Sequence, residues 1–219
     1  MSSTGLPLPN RAFASLRKLA RGSAPVERCE LCSSALAPSH QHLIELARRR
    51  LVCACDACAV LFSSQDSPKY KRVPRRVRYL NDFQMTDGQW DSLMIPIGMA
   101  FFLYSSVDCK MVALYPSPAG PTESLLSLEA WQEIVDENPP LAAMEPDVEA
   151  LLVNRVTRLG GPSTPEYYLV PVDECYRLVG LIRGNWRGFS GGTEVWKKIG
   201  DFFADLKGRA GWPAEIRHA

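Results

Sequence analysis

A chain of 219 residues, 46% hydrophobic and 22% charged, has room for one sizeable core and a small appendage, and its composition is that of a globular protein. The net charge of +1 hides a dipole: residues 1–80 hold 14 Lys/Arg against 5 Asp/Glu, and residues 81–219 hold 11 against 19. The longest near-apolar run, 93–104, is broken by Pro96 and Gly98 and falls short of the roughly 18 residues a membrane-crossing helix needs, which excludes a predicted span.

Residues 1–27 read as a flexible basic tail rich in Ser, Pro, Gly and Arg. Within it, 11–20 is a short amphipathic helix candidate with Phe13, Leu16 and Leu19 near one face. The first ten residues lack the charged start and apolar block of a secretory signal, so the expected home is cytoplasmic. An odd count of seven cysteines, five of them between positions 29 and 58, fits a reducing compartment better than a disulfide framework.

Residues 28–65 form a Cys-rich metal-binding module. Cys29-Glu-Leu-Cys32 and Cys55-Asp-Ala-Cys58 are two equal chelating turns separated by 22 residues, close to the spacing of zinc ribbons and treble clefs. Two thiolates of each turn point into one space, and four soft ligands in a tetrahedron favour zinc, with iron, as a rubredoxin-like centre or a cluster, the alternative. Cys53, His40 and His42 are reserve ligands, so seven candidates exceed four positions; the surplus could shield the site, bind a second ion or mark a site that exchanges metal. A four-thiolate zinc has no open position, which points to a structural role, and a module of about 35 residues needs the ion to fold.

Between the turns, 41–46 is a strand ended by Ala47-Arg-Arg-Arg50, and 51–53 returns as a hairpin without an Asn-Gly or Asp-Gly turn. A short helix over 56–62 completes the order of knuckle, hairpin and helix. His40 or His42 stands where a His-Asn-His nuclease keeps its general base, but 56–62 supplies no second His or Asn for a catalytic magnesium. No other catalytic signature is recognised.

Residues 66–210 read as a mixed α+β domain, joined to the module through a linker at 63–68. It opens with six cations in ten residues: Lys69, Lys71, Arg72, Arg75, Arg76 and Arg78. These offer a phosphate-contacting strip with Tyr70 and Tyr79 placed to stack on bases, or else an edge strand whose charges deter pairing. Thr86 caps a helix over 87–93, 95–104 is a buried strand, and 111–115 pairs back after a turn at 105–110. Residues 116–121 form a rigid turn into a helix beginning at Glu123 or Ser127 and running to Glu137, with Leu128, Trp131 and Val135 inward. Pro139-Pro140 stops it.

Pro146 is expected to open a further helix over 147–154, with Asp147 and Glu149 at its positive end. Residues 167–171 and 176–183 are core strands, or a strand and a short helix. A final helix runs to Lys207 with Val195, Ile199, Phe202, Phe203 and Leu206 at 3–4 spacing. The glycine-rich loop 188–192 before it offers weak anion-binding character with Arg183 and Arg187 nearby, although Thr193 as a simple cap accounts for the glycines. Cys109 and Cys175, each in an apolar context, read as buried small hydrophobes. Residues 211–219 are a second tail. The fold class expected is thus α+β, with a small zinc-ribbon or treble-clef-like N-terminal module before the larger domain.

Four segments carry a resemblance: Cys29-Glu-Leu-Cys32 through His40-Gln-His42-Leu to Cys53-Ala-Cys55-Asp-Ala-Cys58; 115–124; 170–183; and Trp186-Arg-Gly-Phe-Ser-Gly-Gly192. Over most of 28–207 they resemble an uncharacterised bacterial family whose members tend to be encoded beside nickel–iron hydrogenase genes. The resemblance implies an accessory or maturation role, with hydrogenase subunits or maturation factors as protein partners, and it brings no catalytic residue. Nucleic acid is the competing partner class, through the basic strip.

Overall fold

The computed structural model describes residues 26–64, 69–125, 128–156 and 164–210. The two predicted tails, except for Val26 and Glu27, the helix candidate at 11–20 and most of the linker at 63–68 lie outside them.

The N-terminal sheet follows from alternation. β1 (Gln41–Glu45) pairs antiparallel with β2 (Arg50–Ala54), setting His42 opposite Cys53 and Ile44 opposite Leu51. Side chains alternate across a strand, so Leu43, Val52 and Ala54 share one face with a small core of Cys29, Cys58, Ala59 and Tyr70. Ile44, one residue on, joins the main core instead. The link is a 3-10 turn (Leu46–Arg48) ended by Arg49 at φ 48°, so an arginine takes the left-handed position that Asn-Gly turns give to glycine. The Tyr176 hydroxyl donates to the Arg49 carbonyl at 2.9 Å, and the Arg49 guanidinium meets Glu123 at 3.3 Å, which ties that turn to residues far along the chain. α1 (Asp56–Ser63) follows β2, and β3 (Tyr70–Arg72) adds to the free side of β1, giving the order β2-β1-β3.

The larger sheet has six antiparallel strands: β4 (Arg78–Tyr79), β5 (Met99–Ser105), β6 (Lys110–Ser117), β7 (Gly120–Ser124), β8 (Glu149–Asn154) and β9 (Glu166–Pro171). Their order is β4-β9-β8-β5-β6-β7. One face carries α2 (Asp87–Ser92) and α3 (Leu128–Glu137), where Trp90, Trp131 and Ile134 cover Phe102, Leu151 and Val153. The opposite face carries α4 (Val172–Asn185) and α5 (Gly192–Ala210), whose Val195, Ile199, Phe202, Phe203 and Leu206 are all buried at the predicted spacing. Thr86 caps α2 as expected, within a capping box shared with Gln89.

Three expectations are corrected. Residues 149–154 form a central strand, not a helix: every side chain of β8 is buried because helices cover both faces of the sheet, and a short run that is apolar on both faces has no period to read. Asp147 and Glu149 accordingly sit at no helix end. Asp147, at φ 68°, accepts the Ser106 N–H at 2.8 Å, and Glu149 accepts the Glu145 N–H at 3.0 Å. The prolines at 116–121 do make a turn, but it returns a strand, with Pro116 opposite Pro121 and Glu123 inside β7. Pro121 lies in the edge strand β7, and Pro116 lies beyond the residues of β6 that pair with β5, so neither interrupts an interior ladder. Cys109 is exposed at φ 51° in the β5–β6 turn, while Cys175 is fully buried as expected.

Candidate metal centre

Cys29 and Cys32 lie in a tight loop closed by the bridge Arg28↔Ala35. The Cys29 N–H donates to the Ser34 carbonyl and the Ser33 N–H to the Cys29 carbonyl, each at 2.8 Å, and Ser33 adopts φ 64° to let the chain reverse. The Glu30 N–H reaches the Cys53 carbonyl at 2.9 Å, which ties this loop to the end of β2. β2 then delivers Cys55 as the N-cap of α1, its sulfur accepting from the Cys58 N–H at 3.5 Å, and the first helical turn carries Cys58 back beside it.

The four sulfurs of Cys29, Cys32, Cys55 and Cys58 come together, all within 4.8 Å of one another. A tetrahedral ion with metal–sulfur bonds of about 2.3 Å sets its sulfurs about 3.8 Å apart. Cys32 Sγ and Cys55 Sγ are 3.7 Å apart, and all seven cysteines are free of disulfides. The cluster therefore has the size to hold a metal ion. Cys29 and Cys58 face the small core; Cys32 is exposed, with its sulfur 3.2 Å from the Ser34 hydroxyl.

The electrostatics prepare some of the thiols unequally. Burial by itself pushes the Cys29 thiol up, yet backbone N–H groups of Cys55, Cys32 and Leu31 outweigh it and bring the group down to about 6. The Cys58 N–H and then the Ser34 hydroxyl lower Cys55. Burial and the neighbouring cysteines push Cys58 up to about 12. Thiolates at a helix amino end are the expected metal-ready form.

The three reserve residues gather separately. His40, His42 and Cys53 each bring a ligating atom within 4.8 Å of the others. His42 Nδ1 lies 2.7 Å from Asp173 at the start of α4, a partner 131 positions away that no local signal announces. Cys53 receives Glu30 on its backbone N–H at 2.9 Å, while burial first, and then the Glu30 and Glu27 carboxylates, push its thiol up.

The basic strip is largely spent within the chain. Lys69 pairs with Glu45 at 3.4 Å; Lys71 donates to the Pro146 carbonyl at 2.7 Å, with Glu145 at 3.6 Å and Asp147 at 3.9 Å. Arg72 grips the Gln41 side chain through Nε at 3.2 Å and an Nη at 3.0 Å, and Arg75 donates to the His40 carbonyl at 2.9 Å. Arg76 is exposed and Arg78 is half-buried in β4. Tyr70 is buried against Phe62 and Tyr79 packs on Tyr168 at 5.0 Å, so neither ring is free to stack on a base. Of these cations Lys71 reaches the acidic half of the chain, whereas Lys69, Arg72 and Arg75 are taken up by residues 40–45. In the 188–192 loop Gly188, Gly191 and Gly192 have positive φ, and the Trp186 and Trp196 indoles donate to the Gly188 and Ser190 carbonyls at 2.9 and 2.8 Å.

No helix among the described residues is long and apolar enough to cross a membrane. No curated protein and no solved structure matches the chain. Residues 28–210 match a family of unknown function, DUF5947, and the chain belongs to that family.

Proposed function

We propose that this is a non-catalytic zinc protein whose treble-clef-like N-terminal module folds around an ion held by Cys29, Cys32, Cys55 and Cys58, and which works by binding partner proteins. The single observation that carries the reading is the four-sulfur cluster with a spacing of 3.7 Å between Cys32 and Cys55, the edge a tetrathiolate ion needs. Four protein thiolates fill a tetrahedral zinc and leave no site for water or substrate, which supports a structural ion. Protein partners are favoured over nucleic acid because four of the six cations of the basic strip are engaged within the chain. The resemblance to a family encoded beside nickel–iron hydrogenase genes supports hydrogenase subunits or maturation factors as those partners, in the cytoplasm.

Elemental analysis and absorption spectra of anaerobically purified protein test the metal. Zinc that is lost from the cluster in Cys29→Ser and retained there in Cys53→Ser is the expected result; equal loss from it in both would refute the ligand set, and visible charge-transfer absorption would replace zinc with iron. Hydrogenase activity in cells carrying only the Cys29→Ser chain tests the biological role. Full activity there, with the metal lost, would remove hydrogenase assembly from the proposal.

A further inference from the structure

We propose that His40, His42 and Cys53 form a second metal site, on the face of the hairpin opposite the four-thiolate cluster, that takes a borderline divalent transition ion and leaves its fourth position open. The site does not depend on the four-thiolate reading, since it shares no ligand with it.

The register makes the site. His42 and Cys53 are cross-strand partners, so their side chains leave the hairpin on the same face. Leu43, Val52 and Ala54 occupy the other face with Cys29 and Cys58. His40, just before β1, brings its ring against His42, centroids 4.9 Å apart and planes at 88°, an edge-on meeting that two imidazoles converging on one ion adopt without stacking. One ligating atom from each of the three residues lies within 4.8 Å of the others. A bound ion with metal–nitrogen bonds of about 2.0–2.1 Å and a metal–sulfur bond of about 2.3 Å would draw them closer by up to about 1.5 Å.

Both rings are oriented by groups that can only accept. His40 Nδ1 lies 2.9 Å from the Ala37 carbonyl, and His42 Nδ1 2.7 Å from the Asp173 carboxylate. Each Nδ1 therefore donates, which in the neutral ring leaves Nε2 as a bare lone pair. A carboxylate behind a metal-binding histidine is the arrangement that fixes the ligand's tautomer and raises its basicity. The second observation is at His40. Its side chain is only 8% exposed, and its Nε2 is buried with no hydrogen-bond partner among the described residues. An unpaired lone pair in the interior is destabilising unless something binds it. A metal ion satisfies it, and two imidazoles with one thiolate suit zinc, cobalt(II) or nickel(II) better than a hard oxygen-seeking ion.

The test titrates the metal-stripped, reduced full-length chain with Co²⁺, read by absorption and by bound metal per chain. The expected result is two equivalents for the native chain, and one for Cys53→Ser and for His40→Gln, both keeping the four-thiolate spectrum. Cys32→Ser is expected to keep one equivalent with a mixed nitrogen–sulfur spectrum. Asp173→Asn, which keeps a hydrogen-bonding side chain behind His42, is expected to weaken only the second equivalent, by about 10–100-fold. Saturation of the native chain at one equivalent, lost in Cys32→Ser, would overturn the second site and leave the first standing. One equivalent that survives Cys32→Ser and is lost in Cys53→Ser would do the reverse. Two equivalents in a folded Cys53→Ser chain, judged by an unchanged melting temperature, would show the thiol to be a bystander and overturn the proposal.

Discussion

Leu43 and Ile44 are neighbours in β1 that serve different cores, and replacing each with alanine separates the two roles of the hairpin. Leu43 is fully buried among Val52, Ala54, Ala59 and the cluster cysteines Cys29 and Cys58; Ile44, 2% exposed, belongs to the core beneath α4 and α5. Truncating a buried Leu or Ile to Ala costs about 2–5 kcal/mol. On the proposed zinc reading, folding of the module is linked to the ion and the Leu43→Ala loss appears in metal affinity. At about 1.4 kcal/mol per factor of ten, it amounts to a zinc dissociation constant about 30-fold to a few thousand-fold weaker. Ile44→Ala carries a similar cost but places it on the larger domain, lowering the melting temperature by about 2–4 °C per kcal/mol and moving zinc affinity much less. The assay is competition against a chelator of known affinity on the full chain, paired with thermal unfolding in excess zinc. Equal weakening of zinc binding by the two substitutions would refute the assignment of the two faces to separate cores.

Zinc uptake is expected to tighten as pH rises, since bound thiols must lose their protons. With Cys29 at about 6 and Cys58 at about 12, Cys29 is already ionised at pH 7.5 and releases no proton on binding, but below pH 6 it does. Calorimetry in buffers of differing ionisation heat should find more protons released at pH 5.5 than at pH 7.5; a constant number would contradict the lowered Cys29. Tyr176→Phe removes the hydroxyl that holds the Arg49 carbonyl, and a loss of about 0.5–1.5 kcal/mol in denaturant unfolding is expected. Gly191→Ala should cost about 1–3 kcal/mol, because φ is +85° there and a Cβ would sit 2.8 Å from Val195 Cγ1. An unchanged unfolding midpoint would mean that the loop relaxes freely. Binding of duplex DNA or single-stranded RNA is expected to be undetectable at physiological salt, and tight, salt-dependent binding in a fluorescence titration would restore the basic strip as an interface.

What was legible in the chain was what local spacing encodes. Two Cys-x-x-Cys turns, the hairpin between them and α1 after them follow from positions a few residues apart, and α5 follows from a 3–4 apolar period that one buried face enforces. β8 reads as a helix in the sequence because a strand buried on both faces loses the alternation that identifies it. β7 was hidden because its prolines and glycine carry turn chemistry even where the backbone pairs. The second cluster was legible as surplus ligands but not as a separate group. Its separateness depends on which face of β1 meets the module core, and on Asp173, whose approach to His42 is purely tertiary.

The distance in sequence between His42 and Asp173 also sets an order of events during synthesis. Every candidate thiolate of the module has left the ribosome long before α4 is made: at about 5–20 residues per second, the 131 positions between His42 and Asp173 take roughly 7–26 s. During that interval the Leu43 face of the hairpin already has its four cysteines, while the face bearing His42 and Ile44 has neither its carboxylate nor its core. The nascent chain therefore holds both Cys-x-x-Cys pairs while the opposite face of the hairpin is still bare.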